Sequence, residues 1–162
     1  MKYFTDSLWS TINKGSEAER NQAWAEWDKN MQEYTPIFES IKPRLSKKFL
    51  KIYMKNHGFH DYRIKNMFLN HKEYGLKNPV SLEIYVTNDS KIYKITYKRI
   101  KKFCMDYNEK EGNDALKGMD DWGYDEFLPV DDQTLSHEIL FASGAAILIH
   151  FMNGSVFIEK VE

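Results

Sequence analysis

The sequence predicts an α+β fold in which N-terminal helices pack on a mainly antiparallel β-sheet of about six strands. Three observations predict it: helical spacing of apolar residues in the first third, every-other-residue spacing after Gly58, and short polar turns between the later stretches. The length of 162 residues suits one domain. We expect a helical part over 1–56, an antiparallel sheet over 57–105 and 134–162, and an acidic loop insertion over 106–133.

The helical part opens with a capping signal. Ser16 is followed three residues later by Glu19, the pattern in which each side chain caps the other's backbone amide. Apolar side chains then recur at three- and four-residue spacing and predict one buried helical face. That face consists of Ala23, Trp24, Trp27, Met31 and Tyr34. Pro36 is typical of the first turn of a new helix, so we expect one helix or two short ones over 36–55, ending near Gly58.

Alternating apolar and aromatic side chains predict two groups of strands. The first group is centred on residues 60–68, 82–86 and 93–97, and the second spans 135–142, 145–152 and 155–161. Polar breaks at 74–79 and 88–90 favour antiparallel hairpins, and Asn153-Gly154 predicts a further two-residue hairpin. Residues 145–151 are apolar on both parities, so we expect a central strand there with the helices on one face.

Charge is distributed unevenly along a chain whose net charge is −1. Between 106 and 132, ten acidic residues accompany two lysines, which gives a local net charge of −8. Several glycines interrupt the same stretch. These features predict a long loop that contains one short helix or strand around 122–128.

An acidic and aromatic face is predicted within this loop. Trp122, Tyr124, Asp125 and Glu126 combine large rings with carboxylates. Aromatic side chains bury much area and carboxylates steer a positively charged surface, so this composition favours a basic protein partner. In the alternative interpretation, Trp122, Tyr124 and Phe127 anchor the loop on the sheet while the carboxylates stay solvated.

A candidate catalytic or metal site involves three histidines and an aspartate. His57, His60 and Asp61 carry the ligand types that hold transition metals, and His137 on a later strand could approach His60 across the sheet. This pattern raises the possibility of a small metal-dependent hydrolase using His60, Asp61 and His137. In the opposite interpretation they are hydrogen-bonded structural residues. With no nucleophile elbow or phosphate-binding loop, the sequence indicates no catalytic residue, metal or cofactor and favours a protein that is not an enzyme.

Basic residues offer a third alternative, a nucleic-acid-binding module. Four lysines, Lys47, Lys48, Lys51 and Lys55, lie along one side of the second helical region, and residues 98–102 add a basic strand end. Together they would contact phosphates. The sequence pI of about 6.5 lacks the basic excess of strong nucleic-acid binders, so a solvated face is favoured.

Cellular location follows from hydropathy and cysteine content. The chain has no window of roughly 18 uncharged apolar residues and no segment like the core of a secretory signal. Its one cysteine, Cys104, cannot form an internal disulfide. We therefore expect a soluble, cytoplasmic protein without a membrane partner.

Three segments carry a resemblance to a protein family. They are MKYFT at the start, GFHDYRI where the sheet opens, and HEILFASGAAILIHF near the end. With its helical front, the chain resembles an uncharacterised family of small intracellular proteins, of the domain-of-unknown-function type, common in Gram-positive bacteria, whose sheet opens with a Phe/Leu-His-Asp strand. The resemblance spans nearly the whole chain and implies a helix-then-sheet layout, with no established activity, catalytic residue or cofactor.

A binding role is the favoured functional prediction. Some proteins of this size and layout act as immunity or partner-binding proteins, which is an analogy of fold. The acidic segment and the lack of a catalytic set favour a non-enzymatic protein-binding domain, immunity-type or regulatory, over the hydrolase and the nucleic-acid module. The identity of the partner and the oligomeric state stay open.

Overall fold

The computed structural model describes residues 1–88, 90–107 and 118–161. Within these residues the α-helices are α1 (Asp6–Lys14), α2 (Glu17–Ile41) and α3 (Lys47–Lys55), with short 3-10 helices at Lys42–Arg44 and His57–Phe59. The strands are β1 (Arg63–His71), β2 (Val80–Thr87), β3 (Ile92–Tyr97), β4 (Ile100–Asp106), β5 (Trp122–Pro129), β6 (Thr134–Phe141), β7 (Ala146–Met152) and β8 (Val156–Lys160). None of the helices in these ranges is long and apolar enough to cross a membrane.

The strands form two antiparallel sheets of four strands each, with orders β1-β2-β3-β8 and β4-β7-β6-β5. The predicted α+β class with antiparallel pairing is confirmed, but the prediction of one six-stranded sheet was wrong. In the two additional strands, β4 and β5, buried and exposed residues do not clearly alternate, so the sequence pattern did not clearly indicate them. β4 is mostly exposed along its length, and β5 is buried in pairs of consecutive residues around a register shift near Trp122.

The acidic segment over 106–133 was predicted to be a long loop with one short helix or strand around 122–128. In the structure this segment contains β5, which is a strand of the second sheet. β5 pairs with β6 along its whole length. Residues 108–117 of the predicted loop lie outside the described residues. The functional consequence is that Asp125 and its neighbours are held by a sheet.

The two sheets join at a corner where β3 leads into β4 and β7 leads into β8. The hairpin predicted at Asn153-Gly154 was wrong, because β7 pairs with β4 and β6 while β8 pairs with β3. The Arg99 guanidinium donates to the Asn153 carbonyl and the Ser155 hydroxyl, both at 2.6 Å. The Gly154 N–H donates to the Arg44 carbonyl at 2.7 Å. These long-range contacts hold the chain in a corner instead of a tight reversal.

The other hairpin predictions agree with the pairing. β1 pairs with β2 across 74–79, and β2 pairs with β3 across 88–90, where Asp89 lies outside the described residues. β7 lies between β4 and β6, which confirms its central position. The helices cover other strands than expected: α2 packs on β5 and α3 on β8, while β6 is the strand buried along both parities.

Helix α2 has the predicted capping box and is longer than predicted. The Glu19 N–H donates to the Ser16 hydroxyl at 3.4 Å, and the Ser16 N–H donates to the Glu19 carboxylate at 2.8 Å. The helix then continues through Pro36 to Ile41, so the break expected before Pro36 was wrong. Pro36 is on the exposed side of the helix, where water can bond the carbonyl that lacks an N–H partner.

Two clusters of buried side chains hold the helices to the sheets. The larger lies between the two sheets and α3, and the smaller joins the N-terminal segment, α1 and α2. The smaller cluster consists of Tyr3, Phe4, Leu8, Ile12, Ala23, Trp27 and Tyr34. Of the predicted α2 face, Trp24 and Met31 are 46% and 43% exposed. The buried stripe of α2 is therefore narrower than predicted.

The capping box gives a stability prediction. Ser16→Ala removes the hydroxyl that accepts the Glu19 N–H, and we expect the free energy of unfolding at neutral pH to fall by about 1 kcal/mol, as for other N-cap serines. Urea denaturation measures it. Ser7→Ala, at an exposed position of α1, is the control and should change stability by less than about 0.5 kcal/mol.

The same capping box predicts a pH dependence. Hydrogen bonds from Ser16 lower the pKa of the Glu19 carboxyl in the folded state. The stabilisation is therefore present above the unfolded pKa and is lost as the pH falls through the folded pKa. Denaturation of Glu19→Gln and wild type should accordingly converge in acid. A stability difference that stays constant down to the lowest pH contradicts this assignment.

Candidate functional site

A turn with left-handed backbone precedes the first sheet. Gly58 has a φ of 70°, as predicted for the end of a helix, but His57, Phe59 and Asp61 also have positive φ values of 51°, 64° and 64°. Each such non-glycine residue costs about 1–3 kcal/mol and persists only when its surroundings enforce it. Phe59 is completely buried, and the Asp61 N–H donates to the Trp122 carbonyl at 2.9 Å. Packing and pairing with β5 thus hold the strained turn.

His60 and Asp61 lie on this turn, so their predicted placement in a strand was wrong. β1 begins at Arg63, because the chain before it pairs with β5: the Trp122 N–H donates to the Tyr62 carbonyl at 2.7 Å. The His60 ring stacks on Tyr124 with centroids 5.1 Å apart, and His60 Nδ1 is 3.6 Å from the Asp61 carboxylate. The Asp61 side chain is 81% exposed. This turn therefore presents one ring and one carboxylate to solvent.

Four polar side chains form a continuous hydrogen-bonded chain behind the turn. The Tyr97 hydroxyl is 2.7 Å from His137 Nδ1, and His137 Nε2 is 2.5 Å from Asp125 Oδ2. The Tyr53 hydroxyl is 2.9 and 3.0 Å from the two Asp125 oxygens. Tyr97 and His137 have no exposed surface, whereas the Asp125 side chain is 8% exposed. The hydrogen bonds lead from Tyr97 in the core through His137 to Asp125, which Tyr53 contacts from another side.

Strand register explains why these groups meet. Phe127 on β5 is directly opposite His137 on β6, and their rings stack with centroids 3.7 Å apart and planes 17° apart. Asp125 is two residues before Phe127, so its side chain points to the same face of the strand. Tyr97 ends β3 of the other sheet and Tyr53 belongs to α3. The two sheets and a helix thus supply one polar chain.

Hydrogen-bond directions determine the charge of each group. Burial raises the pKa of the Tyr97 and Tyr53 hydroxyls well above their usual range, so both keep their protons. Within the part of the chain that the structure describes, His137 Nδ1 is the sole partner of the Tyr97 hydroxyl, so we assign the hydroxyl as the donor, which satisfies its buried proton. His137 is then neutral and carries its proton on Nε2, which donates to Asp125. Asp125 then accepts from both His137 and Tyr53, as a carboxylate does.

In the part of the chain that the structure describes, the ion-pair partner of Asp125 is His137 and neither a lysine nor an arginine. Its hydrogen bonds come from His137 and from the single Tyr53 hydroxyl, whose proton lies within reach of both carboxylate oxygens. A nearly buried charge without a counter-ion is unfavourable, so a cation from outside the chain would stabilise it.

Asp125 lies at the floor of a cleft of about 220 Å³ between α2, the turn and β5. Its walls are mainly aromatic, formed by Phe4, Trp27, Tyr34, Tyr53 and Tyr124. Trp27 and Tyr124 have ring centroids 4.4 Å apart, and Phe4 and Trp27 have centroids 4.6 Å apart. His57, Gly58 and His60 of the strained turn also line the cleft. The cleft combines a single carboxylate with rings on several sides.

Two of the predicted contact residues lie inside the protein. Trp122 and Glu126 have no exposed surface, so neither contributes to a solvent-facing surface. Glu126 accepts the backbone N–H of Tyr3 at 3.0 Å and that of Lys2, which ties the N-terminal segment to β5. Trp122 packs on Phe59 beneath the strained turn. Their burial agrees in part with the anchoring interpretation of this segment.

The remaining predicted residues fall into three places. Tyr124, Asp125 and His60 line the cleft, His137 is buried behind Asp125, and Asp61 faces solvent. Sequence reasoning missed the walls contributed by Phe4, Trp27, Tyr34 and Tyr53, and it missed Tyr97 as the partner of His137. One sequence signal was available: if this segment is taken as a strand, the two-residue spacing of Asp125 and Phe127 places both side chains on the same face.

The predicted metal-site residues do not form one ligand group. His137 bonds Asp125 and Tyr97, whereas His60 and Asp61 contact each other. Within residues 1–88, 90–107 and 118–161, no three His, Cys, Asp or Glu side chains are placed to hold a metal ion. The lysines of α3, at 47, 48, 51 and 55, are exposed.

The chain matches no family model, no curated protein and no solved structure. The resemblance to a Gram-positive bacterial family therefore stays a prediction. The geometry of the cleft is what bears on function.

The hydrogen bond between Tyr97 and His137 gives a testable stability difference. Tyr97→Phe removes the hydroxyl that donates to His137 Nδ1 and leaves a buried acceptor without a partner. We expect the free energy of unfolding to fall by about 1–3 kcal/mol, measured by urea denaturation. Tyr74→Phe removes a hydroxyl from a fully exposed side chain and should have an effect below about 0.5 kcal/mol. Equal effects of the two substitutions contradict the hydrogen-bonded chain.

Proposed function

We propose that this protein is a non-enzymatic binding domain, immunity-type or regulatory, which recognises a basic partner protein through the aromatic cleft. The observation that carries the proposal is the Asp125 carboxyl group in the cleft, which forms no ion pair with a lysine or arginine among the described residues. A basic group from a partner would supply the missing counter-charge.

The surroundings of Asp125 favour recognition of a positively charged surface. Asp61, with a side chain 81% exposed, adds a carboxylate next to the cleft residue His60. Exposed charges at the rim of a binding site mainly accelerate and orient association, while a nearly buried charge at its centre contributes most to affinity. Asp61 therefore suits steering, and Asp125 suits the central contact.

The burial of His137 among its hydrogen-bond partners favours a binding function over catalysis. A general base must come within hydrogen-bond reach of the proton it removes. His137 has no exposed surface, and both of its ring nitrogens already have partners in Asp125 and Tyr97. Its role in this proposal is to hold Asp125 in place, so the hydrolase alternative loses its central residue.

A matched pair of variants tests the function. Asp125→Asn removes the charge at the cleft floor, and Asp132→Asn makes the same change at an exposed position beyond the far end of β5. Immobilised wild type and Asp132→Asn should retain the same basic protein from a lysate of the source cells, and added salt should reduce retention. Asp125→Asn should retain about tenfold less or none.

The contradicting outcomes are equally definite. Circular dichroism first establishes that both variants are folded like wild type. If wild type retains no basic protein, or if Asp125→Asn retains it as well as Asp132→Asn does, the proposed function is wrong. Retention that is insensitive to salt also contradicts it, because the contact rests on charge.

A further inference from the structure

We infer that the cleft binds the ammonium group of a lysine side chain of the partner, which presupposes the binding function proposed above. The ammonium nitrogen lies among the aromatic walls and donates a hydrogen bond to Asp125. Three features of the site select this group: its aromatic walls, the hydrogen bonds already made by Asp125, and the space beside Gly58.

The aromatic walls select a cation. The face of an aromatic ring carries partial negative charge and attracts cations within about 6 Å of its centroid. Phe4, Trp27 and Tyr124 line the cleft and pack against one another, with centroid separations from 4.4 to 6.4 Å, so a small group in the cleft lies beside a cluster of rings. Asp125 adds a full negative charge at the floor. An anionic group would be repelled by the carboxylate, whereas a cation is attracted by both the carboxylate and the rings.

The state of the Asp125 oxygens favours lysine over arginine. A guanidinium binds a carboxylate best as a fork that uses both oxygens at once. Here Oδ2 already accepts from His137, and the single proton of the Tyr53 hydroxyl is shared between the two oxygens. About two of the carboxylate's about four lone-pair sites are left, on a side chain that is only 8% exposed. An ammonium is a compact charge that needs only one acceptor and no fork, so it suits what remains.

The size of the cleft suits one side chain. Its volume of about 220 Å³ is below the about 300–1,000 Å³ typical of pockets for whole small molecules. Gly58 keeps the floor open: a Cβ there would lie 3.2 Å from the Tyr53 hydroxyl and 3.4 Å from Asp125 Oδ1. The missing methyl group thus leaves the space beside the carboxylate for the tip of an incoming chain.

Three capped pentapeptides, Gly-Gly-X-Gly-Gly, test the selectivity of the intact protein. X is lysine, arginine or norleucine, the last being an uncharged chain of similar shape. In NMR titrations the lysine peptide should give saturable changes in the chemical shifts of Trp27 and Tyr124. The arginine peptide should bind more weakly, on the order of tenfold, and the norleucine peptide should cause no change. Equal binding of the arginine or norleucine peptide overturns the inference. So does binding of free butylamine as tight as that of the lysine peptide, which would indicate a free organic amine as the ligand.

Two glycine variants test the location. Gly58→Ala places a methyl group beside Asp125, and Gly154→Ala does so at a similar φ of 67° with no neighbouring atom within 4 Å. Both bear the same left-handed strain, so both should unfold at lower temperature than wild type. Only Gly58→Ala should weaken binding of the lysine peptide, on the order of tenfold. Equal binding by the two variants overturns the location.

The two proposals fail in distinguishable ways. If the lysine peptide does not bind, yet a basic protein is retained in an Asp125-dependent manner, the lysine assignment is wrong and the binding function stands. If the lysine peptide binds and no basic protein is retained, the proposed binding function is wrong. The inference that a partner protein supplies the lysine is then wrong as well, because it presupposes that function.

Discussion

The hydrogen bond between His137 and Asp125 connects the interior of the second sheet to the surface cleft. Its direction comes from Tyr97, which belongs to the other sheet and donates to the opposite ring nitrogen. Tyr53 from α3 holds the carboxylate from the other side. Each buried group is paired only while the others stay in place, and an unpaired one costs about 1–3 kcal/mol. The position and charge of Asp125 therefore depend on the packing of both sheets and a helix.

The cleft is organised before any ligand arrives. Asp125 is held by hydrogen bonds from His137 and Tyr53, and the turn beside it keeps left-handed backbone at His57, Phe59 and Asp61 because Phe59 is buried. Binding to a fixed site loses little side-chain entropy. Strain that persists next to a nearly buried charge is typical of recognition sites. Both features support the proposed contact role of the cleft, with stability supplied by the cores on either side.

Local signals predicted local structure, and long-range contacts account for the rest. The Ser16 capping box and the antiparallel hairpins follow from neighbouring residues, and both are present. Asn153-Gly154 forms a corner because Arg99 and Arg44, distant in sequence, bond to it. The site was partly predicted: Asp125 and His137 were both candidates. Their pairing was missed because β5 is buried on both parities, which hides the alternation that would have placed Asp125 opposite β6.

The protonation of the His137 ring tests the account most directly, since the charge left on Asp125 follows from it. A long-range nitrogen–proton NMR correlation spectrum at neutral pH distinguishes the two neutral tautomers from the doubly protonated ring. The hydrogen-bonded chain requires a neutral ring with its proton on Nε2. A proton on Nδ1, or on both nitrogens, would contradict the account, because the first removes the bond to Asp125 and the second neutralises its charge.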